Sequence, residues 1–211
     1  MGMKDDGYEV KPITREMAKP WIMNIHYAKR MPNVMFSYGL FKDSELVGVV
    51  TYGMPANQHL CTGVCGEEWK DNVLELNRLV LYNNSKNEAS FLIGNSLKQL
   101  PRPRIVVSYS DTEWFHTGYI YQATNWLYTG KTQARTDPDV DGKHQRHIPC
   151  DTDKRRPRSV KHRYITFTGT KAQRKSLRNA LRYEVAEYPK ADEKHYDTEE
   201  ASDIPRQGAL I

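Results

Sequence analysis

Val73-Leu-Glu-Leu-Asn-Arg-Leu-Val-Leu81 is an apolar, β-forming run, and the polar turn Tyr82-Asn-Asn-Ser-Lys-Asn87 closes it. Phe91, Leu92, Asn95, Ser96, Leu97 and Leu100 then recur at helical spacing across residues 88–100. Pro101 and Pro103 bound that helix, and Arg104-Ile-Val-Val-Ser-Tyr-Ser110 reads as a buried-type strand. Strand, helix and strand in this order make a βαβ unit, so the two strands are expected to run parallel with a right-handed crossover.

Upstream, residues 34–53 read as a hairpin. Val34, Phe36, Tyr38 and Leu40 alternate with smaller or polar neighbours, Lys42-Asp43-Ser44-Glu45 turns the chain, and a β-branched run reaches Tyr52. Before it, Met17, Ala18, Trp21, Ile22 and Ile25 form one helix face that Thr14 can cap and Pro20 should kink. The first nine residues are polar and expected to fray, and residues 54–72 read as a loop holding Cys61 and Cys65. Downstream come a short helix from Trp114 to Ala123, a strand from Asn125 to Tyr128, and a polar loop over 131–160. A last strand, Arg163 to Thr168, and a basic helix over 171–187 complete the pattern, with an unstructured end after them. The whole is a mixed α/β sheet around one core. Residues 1–130 are expected to form the body, 131–187 a basic loop, strand and helix completing the same domain, and 188–211 an acidic flexible tail.

The chain has 211 residues, 38% apolar and 27% charged, enough for one sizeable core. No apolar run approaches the roughly 20 residues of a membrane span, and the start carries no signal-peptide core. Three cysteines close no disulfide framework, which favours a reducing cytoplasm. The net charge of +5 conceals an uneven distribution: residues 143–182 carry 13 Lys/Arg against two Asp, whereas residues 183–211 carry three basic and eight acidic side chains. A polyanion such as nucleic acid is the natural partner of such a segment, and a solvated basic loop and helix is the plain alternative.

Several residues invite two readings. His26 and Tyr27 end the first helix, as a titratable pair or as ordinary helix-end groups. Asp111 stands at the carboxyl end of its strand, where open α/β sheets place ligands, or caps the helix near Trp114. Arg78 sits mid-strand among apolar neighbours and is expected to point inward at a carboxylate or phosphate, because burying it unpaired is costly. Glu75, an odd number of positions away, is expected on the opposite face. Tyr121 lies on a helix face where an aromatic is usually core. Cys61 and Cys65 with His144, His147 and Cys150 have loose metal-ligand spacing and read better as independent loop residues; iron held by His26 and Asp111 is a further reading of the same standing as that metal site.

The element order is similar to the acetyltransferase (GNAT) fold. More narrowly, Pro12-Ile-Thr-Arg15, Ile25-His-Tyr27, Tyr38-Gly-Leu-Phe41, Leu46-Val-Gly48, Glu75-Leu-Asn-Arg-Leu79, Ser108-Tyr-Ser-Asp111 and His116-x-Gly-x-Ile-Tyr-Gln-Ala-x-Asn-Trp126 resemble, in their joint order, the Mom family of phage DNA-modification proteins. The resemblance covers roughly residues 10–168. It implies a GNAT-like acyltransferase fold with a C-terminal basic arm. The implied activity is conversion of adenine N6 in viral DNA to a carbamoylmethyl (acetamido) form that blocks host restriction, in the host cytoplasm. It points to His26, Tyr27, Asp111 and Tyr121 as catalytic, with Tyr121 able to protonate a leaving thiolate, and to Arg78 and Ser96 as donor-binding. Lys86 joins the latter through the turn Asn83-Asn-Ser-Lys-Asn87, which stands where the family of folds has a glycine-rich phosphate loop. Acyl-CoA (acetyl-CoA) is the implied donor class, with iron or another metal left open. Arg155, Arg156, Arg158, Lys161 and Arg163, beside Lys154, are the expected grip on double-stranded DNA, Tyr164 a stacking platform for a flipped adenine, and a homodimer is compatible with the pattern. An acetyltransferase for a small amine or protein, and a non-catalytic DNA-binding protein, are the competing readings.

Overall fold

The computed structural model describes residues 2–114, 117–138 and 155–190. Its centre is a seven-stranded mixed sheet of β1 (Tyr8–Pro12), β2 (Phe36–Lys42), β3 (Glu45–Gly53), β4 (Val73–Leu81), β5 (Arg104–Asp111), β6 (Leu127–Lys131) and β9 (Lys161–Thr168). Between β6 and β9, β7 (Arg135–Pro138) and β8 (Arg155–Arg158) form a separate two-stranded ribbon. The main sheet runs β1-β2-β3-β4-β5-β9-β6, so the late strand β9 is interior. Every neighbouring pair is antiparallel except β4 and β5, which run parallel as the βαβ order requires.

Helices cover both faces. Helix α3 (Glu88–Gln99) and the short α4 (Tyr119–Ala123) lie over one face, where Leu92 and Ile93 meet Leu40, Tyr52, Leu74, Trp126 and Tyr164. Helix α2 (Gln58–Cys65) and α5 (Lys171–Ala180) lie over the other, where Val64 and Leu177 meet Val73, Ile105, Val107 and Ile165. Helix α1 (Arg15–Pro20) packs Ala18 against Val49 on that second face, and Thr14 caps it by accepting from the Met17 amide at 3.2 Å. At Pro20 the helix widens into a π turn, Trp21–Ile25, because proline offers no amide to continue the ladder.

Four expectations change. The N-terminus does not fray throughout: Tyr8–Pro12 pairs with β2 in register Tyr8 to Lys42. The loop over 54–72 contains α2, capped by Asn57, because Leu60, Cys61, Val64 and Cys65 supply an apolar helix face once cysteine counts as a small hydrophobe. The helix from Trp114 shrinks to Tyr119–Ala123 after a 3-10 turn, Thr112–Trp114. The last helix ends at Ala180, not 187. Beyond it the chain is an extended strap: Arg182 N–H donates to Val64 O, Ala186 N–H to Tyr128 O, and the Tyr188 hydroxyl to Trp126 O. Residues 188–190 thus belong to the strap, and 191–211 lie outside the described residues. Among the described residues no helix is long and apolar enough to cross a membrane.

Candidate active-site cleft

Strands β4 and β5 pair only from Val73 to Glu75 with Ile105 to Val107, and then part. Ser108 Oγ donates to Leu76 O at 2.9 Å at the root of the opening. Beyond it lies a cleft of about 620 Å³ that passes through the sheet. Tyr121, Ser108, Ser110 and Lys86 line it on the α3/α4 side, and His26, Tyr27, Arg78 and Asp111 on the α1 side.

A bulge in β4 sets that division. Leu74 and Leu76 face α3, and so do Leu79 and Leu81. A strand alternates every residue, so this pattern needs one extra residue between 76 and 79. The pairing of Leu76 with Tyr52 but Arg78 with Thr51 identifies it as Asn77, whose side chain accepts from Thr51 Oγ1 at 2.6 Å and donates to Asn33 O at 2.8 Å. The bulge reverses the expected relation of Glu75 to Arg78: the two share a face. Burial raises the Glu75 carboxyl pKa, with Arg78, the Ala56 amide and Lys161 opposing it. Burial lowers the Arg78 pKa, with Tyr27 and Glu75 opposing. Arg78 donates from Nη1 to Asn77 O at 2.5 Å and from Nη2 to Arg30 O at 3.1 Å, and its Nε is buried without a hydrogen-bond acceptor.

Glu75 therefore supports two cations at some expense to the fold. An acid whose folded pKa is raised binds its proton more tightly folded than unfolded, so its contribution is best at low pH and fades as pH rises through the folded value. Glu75→Gln is expected to match or exceed wild-type stability at pH 8, with the difference shrinking toward pH 5, while activity falls. Urea unfolding at both pH values and product analysis read the two effects separately.

His26 is buried, and its Nδ1 accepts from the Ala28 amide at 3.0 Å. Its ring stacks on Tyr27 with centroids 4.3 Å apart. Burial raises the Tyr27 pKa and Arg78 opposes the rise. Asp111 is 7% exposed: Oδ1 accepts from the Glu113 amide at 3.2 Å, the contact of a cap, and Oδ2 takes the Lys161 ammonium from the facing position on β9. Burial lowers the Lys161 pKa, and Glu75 opposes it.

Across the sheet, the Tyr121 hydroxyl lies 2.8 Å from Ser108 Oγ, and burial pushes its pKa up to about 12, so it stays protonated at neutral pH. Gly118 is required at φ +79° beside it, because a Cβ there would lie 2.4 Å from the Tyr164 ring. Ser110 lines the cleft, with its Oγ buried next to Gly118 and without a hydrogen-bond partner.

Lys86 lies at the cleft mouth. Its turn reaches the left-handed conformation without glycine, since Asn84 and Asn87 have φ of +47° and +69°. Glu88 departs from a plain phosphate seat: its carboxylate accepts from the Ser85 amide at 2.8 Å and from the Tyr8 hydroxyl at 2.9 Å. The opened strands thus fit an acyl-thioester arm, and Lys86, rather than the Ser85 amide, fits its phosphate end. Ser96 is not brought to the cleft. It is fully buried in α3, 2.7 Å from the Tyr52 hydroxyl, because the polar positions of that helix face include one turned into the core.

The basic residues also divide. Arg163 donates from Nε and Nη2 to Thr129 and stacks its guanidinium 3.5 Å over Tyr183, so it packs the strap instead of facing a polyanion. Tyr164 is fully buried and donates to Thr117 O, which removes it as a stacking platform; both follow from β9 being interior. Lys161 stands behind the cleft wall, paired with Asp111. Arg155 and Arg158 are on the ribbon, as is Arg156, whose side chain lies outside the description. Cys61 and Cys65 are buried below α5, and burial pushes the Cys65 thiol up to about 11. Lys154, His144, His147 and Cys150 lie outside the described residues, and among the described ones no three His, Cys, Asp or Glu gather as a metal-holding group. Glu75 and Ser110 are the residues that sequence reasoning missed. Parity placed Glu75 wrongly, and nothing marked Ser110 beyond its proximity to Asp111.

Against known proteins, the model of the Mom protein family matches residues 7–190. The methylcarbamoylase mom of Escherichia phage Mu is 30% identical over 120 residues, 54% of this chain and 50% of that protein, so the chain spans about half the length of the curated relative it matches. Among solved structures, a GNAT-family acetyltransferase from Bacillus cereus aligns with 77% of this chain and 99% of its own, at 12% identity and a TM-score of 0.43. Arabidopsis thaliana NAA60 in complex with acetyl-CoA covers 76% and 99%, at 12% identity and a TM-score of 0.48.

Proposed function

The chain belongs to the Mom protein family, and on that premise we propose that it is a transferase acting on adenine N6 of DNA, adding a carbamoylmethyl (acetamido) group that shields viral DNA from host restriction. The observation that carries this reading is the cleft: His26, Tyr27, Arg78 and Asp111, from three separate segments, meet at one mouth of a passage whose other mouth holds Tyr121 and Lys86.

Adenine N6 is stacked inside the duplex, so the base has to be flipped to enter. The half-exposed Tyr27 ring, backed by His26, is the stacking surface that receives it. His26 backs that ring and orients it. The proton that N6 loses goes to the Asp111 carboxylate, which Lys161 holds in place. An acyl-CoA held between β4 and β5 would present a thioester there; direct transfer of its acyl group would break the C–S bond and give an N6-acyladenine, whereas the carbamoylmethyl product bonds N6 to a methylene carbon, so acyl transfer alone does not yield it. Arg78 and Ser110 would flank it from the two faces of the sheet, Lys86 would meet its phosphates, and Tyr121, which stays protonated, is the acid that lines the α4 side of the cleft.

The test is expression in bacteria followed by mass spectrometry of plasmid nucleosides. A modified deoxyadenosine, absent from the vector control, in DNA resistant to restriction is the expected result. Unmodified adenine in restriction-sensitive DNA, with folded protein present, overturns the reading. Acetyl-CoA binding without DNA affinity would then leave a small-amine acetyltransferase.

A further inference from the structure

We propose that Ser108 is the positioning residue that governs Tyr121. Its hydroxyl accepts a hydrogen bond from Tyr121 in the free cleft, and turns from Leu76 O to donate to the Tyr121 oxygen when that proton leaves. This rests on the transferase reading above, in which Tyr121 is the acid. Strands β4 and β5 last pair at Glu75 and Val107, so Leu76 and Ser108 are the first residues beyond the ladder. Ser108 is 1% exposed, and its Oγ lies 2.9 Å from Leu76 O and 2.8 Å from the Tyr121 hydroxyl. A hydroxyl carries one proton, and a carbonyl can only accept. Both contacts are satisfied together in one way: Ser108 donates to Leu76 O, and Tyr121 donates to Ser108 Oγ. With Ser108 turned to Tyr121 instead, Leu76 O gives up this donor and the Tyr121 proton is freed for the cleft. Rotation about the Cβ–Oγ bond exchanges the two arrangements without moving a heavy atom.

The first arrangement keeps the acid covered, and the second fits the moment of transfer. The Tyr121 O–H bond breaks, its electron pair stays on the phenol oxygen, and the proton bonds to the departing atom of the donor, the sulfur in the case of a thioester. Water returns a proton to the phenolate after the products leave. A buried phenolate needs a donor. Burial, with Tyr27, Glu75 and Tyr164 adding to it, pushes the Tyr121 pKa up to about 12, and Ser108 is the group that opposes the rise. A free thiol ionises near 8.5, so the transfer runs uphill by about three to four pKa units unless the anion is held. The neighbouring hydroxyls are engaged elsewhere: Tyr52 is 2.7 Å from Ser96 Oγ, and Tyr164 donates to Thr117 O.

The experiment installs a fluorotyrosine at position 121 alone and follows its phenol by fluorine NMR across pH. A hydrogen bond to a charged group is worth about one to two pKa units, so Ser108→Ala is expected to titrate higher than wild type by that amount. Ser108→Thr keeps the hydroxyl and is expected to titrate with wild type. After induction in bacteria, Ser108→Ala is expected to accumulate modified adenine about 10²-fold more slowly, the usual loss when one donor to a developing anion is removed. A residue that only packed the splay would leave the phenol where it was. Where Ser108→Ala does not fold, Ser108→Cys supplies a weak donor in its place, with a smaller rise of the same sign expected. An unchanged phenol pKa in the folded alanine or cysteine variant, or wild-type accumulation in Ser108→Ala, overturns the proposal. The titration needs neither DNA nor a group donor, so it is decided separately from the reading beneath it, which fails if the wild-type protein leaves adenine unmodified.

Discussion

Asp111→Asn is expected to lower adenine modification by about 10²–10⁴-fold, the usual worth of a positioned acid or base, with the fold retained. Asparagine keeps the shape and can still accept from the Glu113 amide, so the turn into Thr112–Trp114 survives. What disappears is the negative charge between Lys161 and the α1 mouth of the cleft. Breaking a partly buried ion pair leaves Lys161 with only the more distant Glu75 as counter-charge, so about 1–3 kcal/mol of stability goes with it, less than for a fully buried pair because the lysine retains some solvent. Single-turnover modification and urea unfolding on the same preparation check both parts. Wild-type rates in the folded variant would remove Asp111 from the chemistry and leave it as a cap.

Arg78→Lys should come next in size, about 10²-fold or more, although the charge is kept. Arginine uses its planar fork to join the Asn77 and Arg30 carbonyls, tying the bulge to the chain that follows His26 and Tyr27. Its Nε is then aimed into the buried wall with nothing of the protein to meet. A lysine has one ammonium and cannot reach both carbonyls while presenting a third donor. The loss should appear as weaker donor binding together with a slower chemical step, measured by varying donor concentration at saturating DNA. An unaltered dependence on donor would place Arg78 among purely structural residues.

Much of the architecture was legible. The apolar runs of β4 and β5 with α3 between them required a parallel pair, and Thr14 and Pro20 marked the start and the break of the first helix. The limits were physical. Periodicity reports which residues are apolar, not which extra residue interrupts a strand, so Asn77 and the sharing of a face by Glu75 and Arg78 could not be read. Ser96 and Tyr164 look like site groups because they carry hydroxyls in the right segments; only packing shows that both are interior. Helical spacing continued past Ala180 on paper, yet Tyr183 and Tyr188 gain more by reaching Arg163 and the Trp126 carbonyl than by extending α5.

Local pattern and composition were enough for a mixed α/β body, a concentrated basic segment and an acidic end, since those depend on residue type and near neighbours alone. The site depended on contacts distant in sequence. Asp111 meets Lys161 across fifty residues, and Arg78 meets Arg30 across forty-eight. The basic segment illustrates the difference best. Counted along the chain it is one patch of charge. Folded, it becomes a lysine paired with Asp111, a packed arginine and a rooted ribbon, because the strand it contains is inserted at the middle of the sheet.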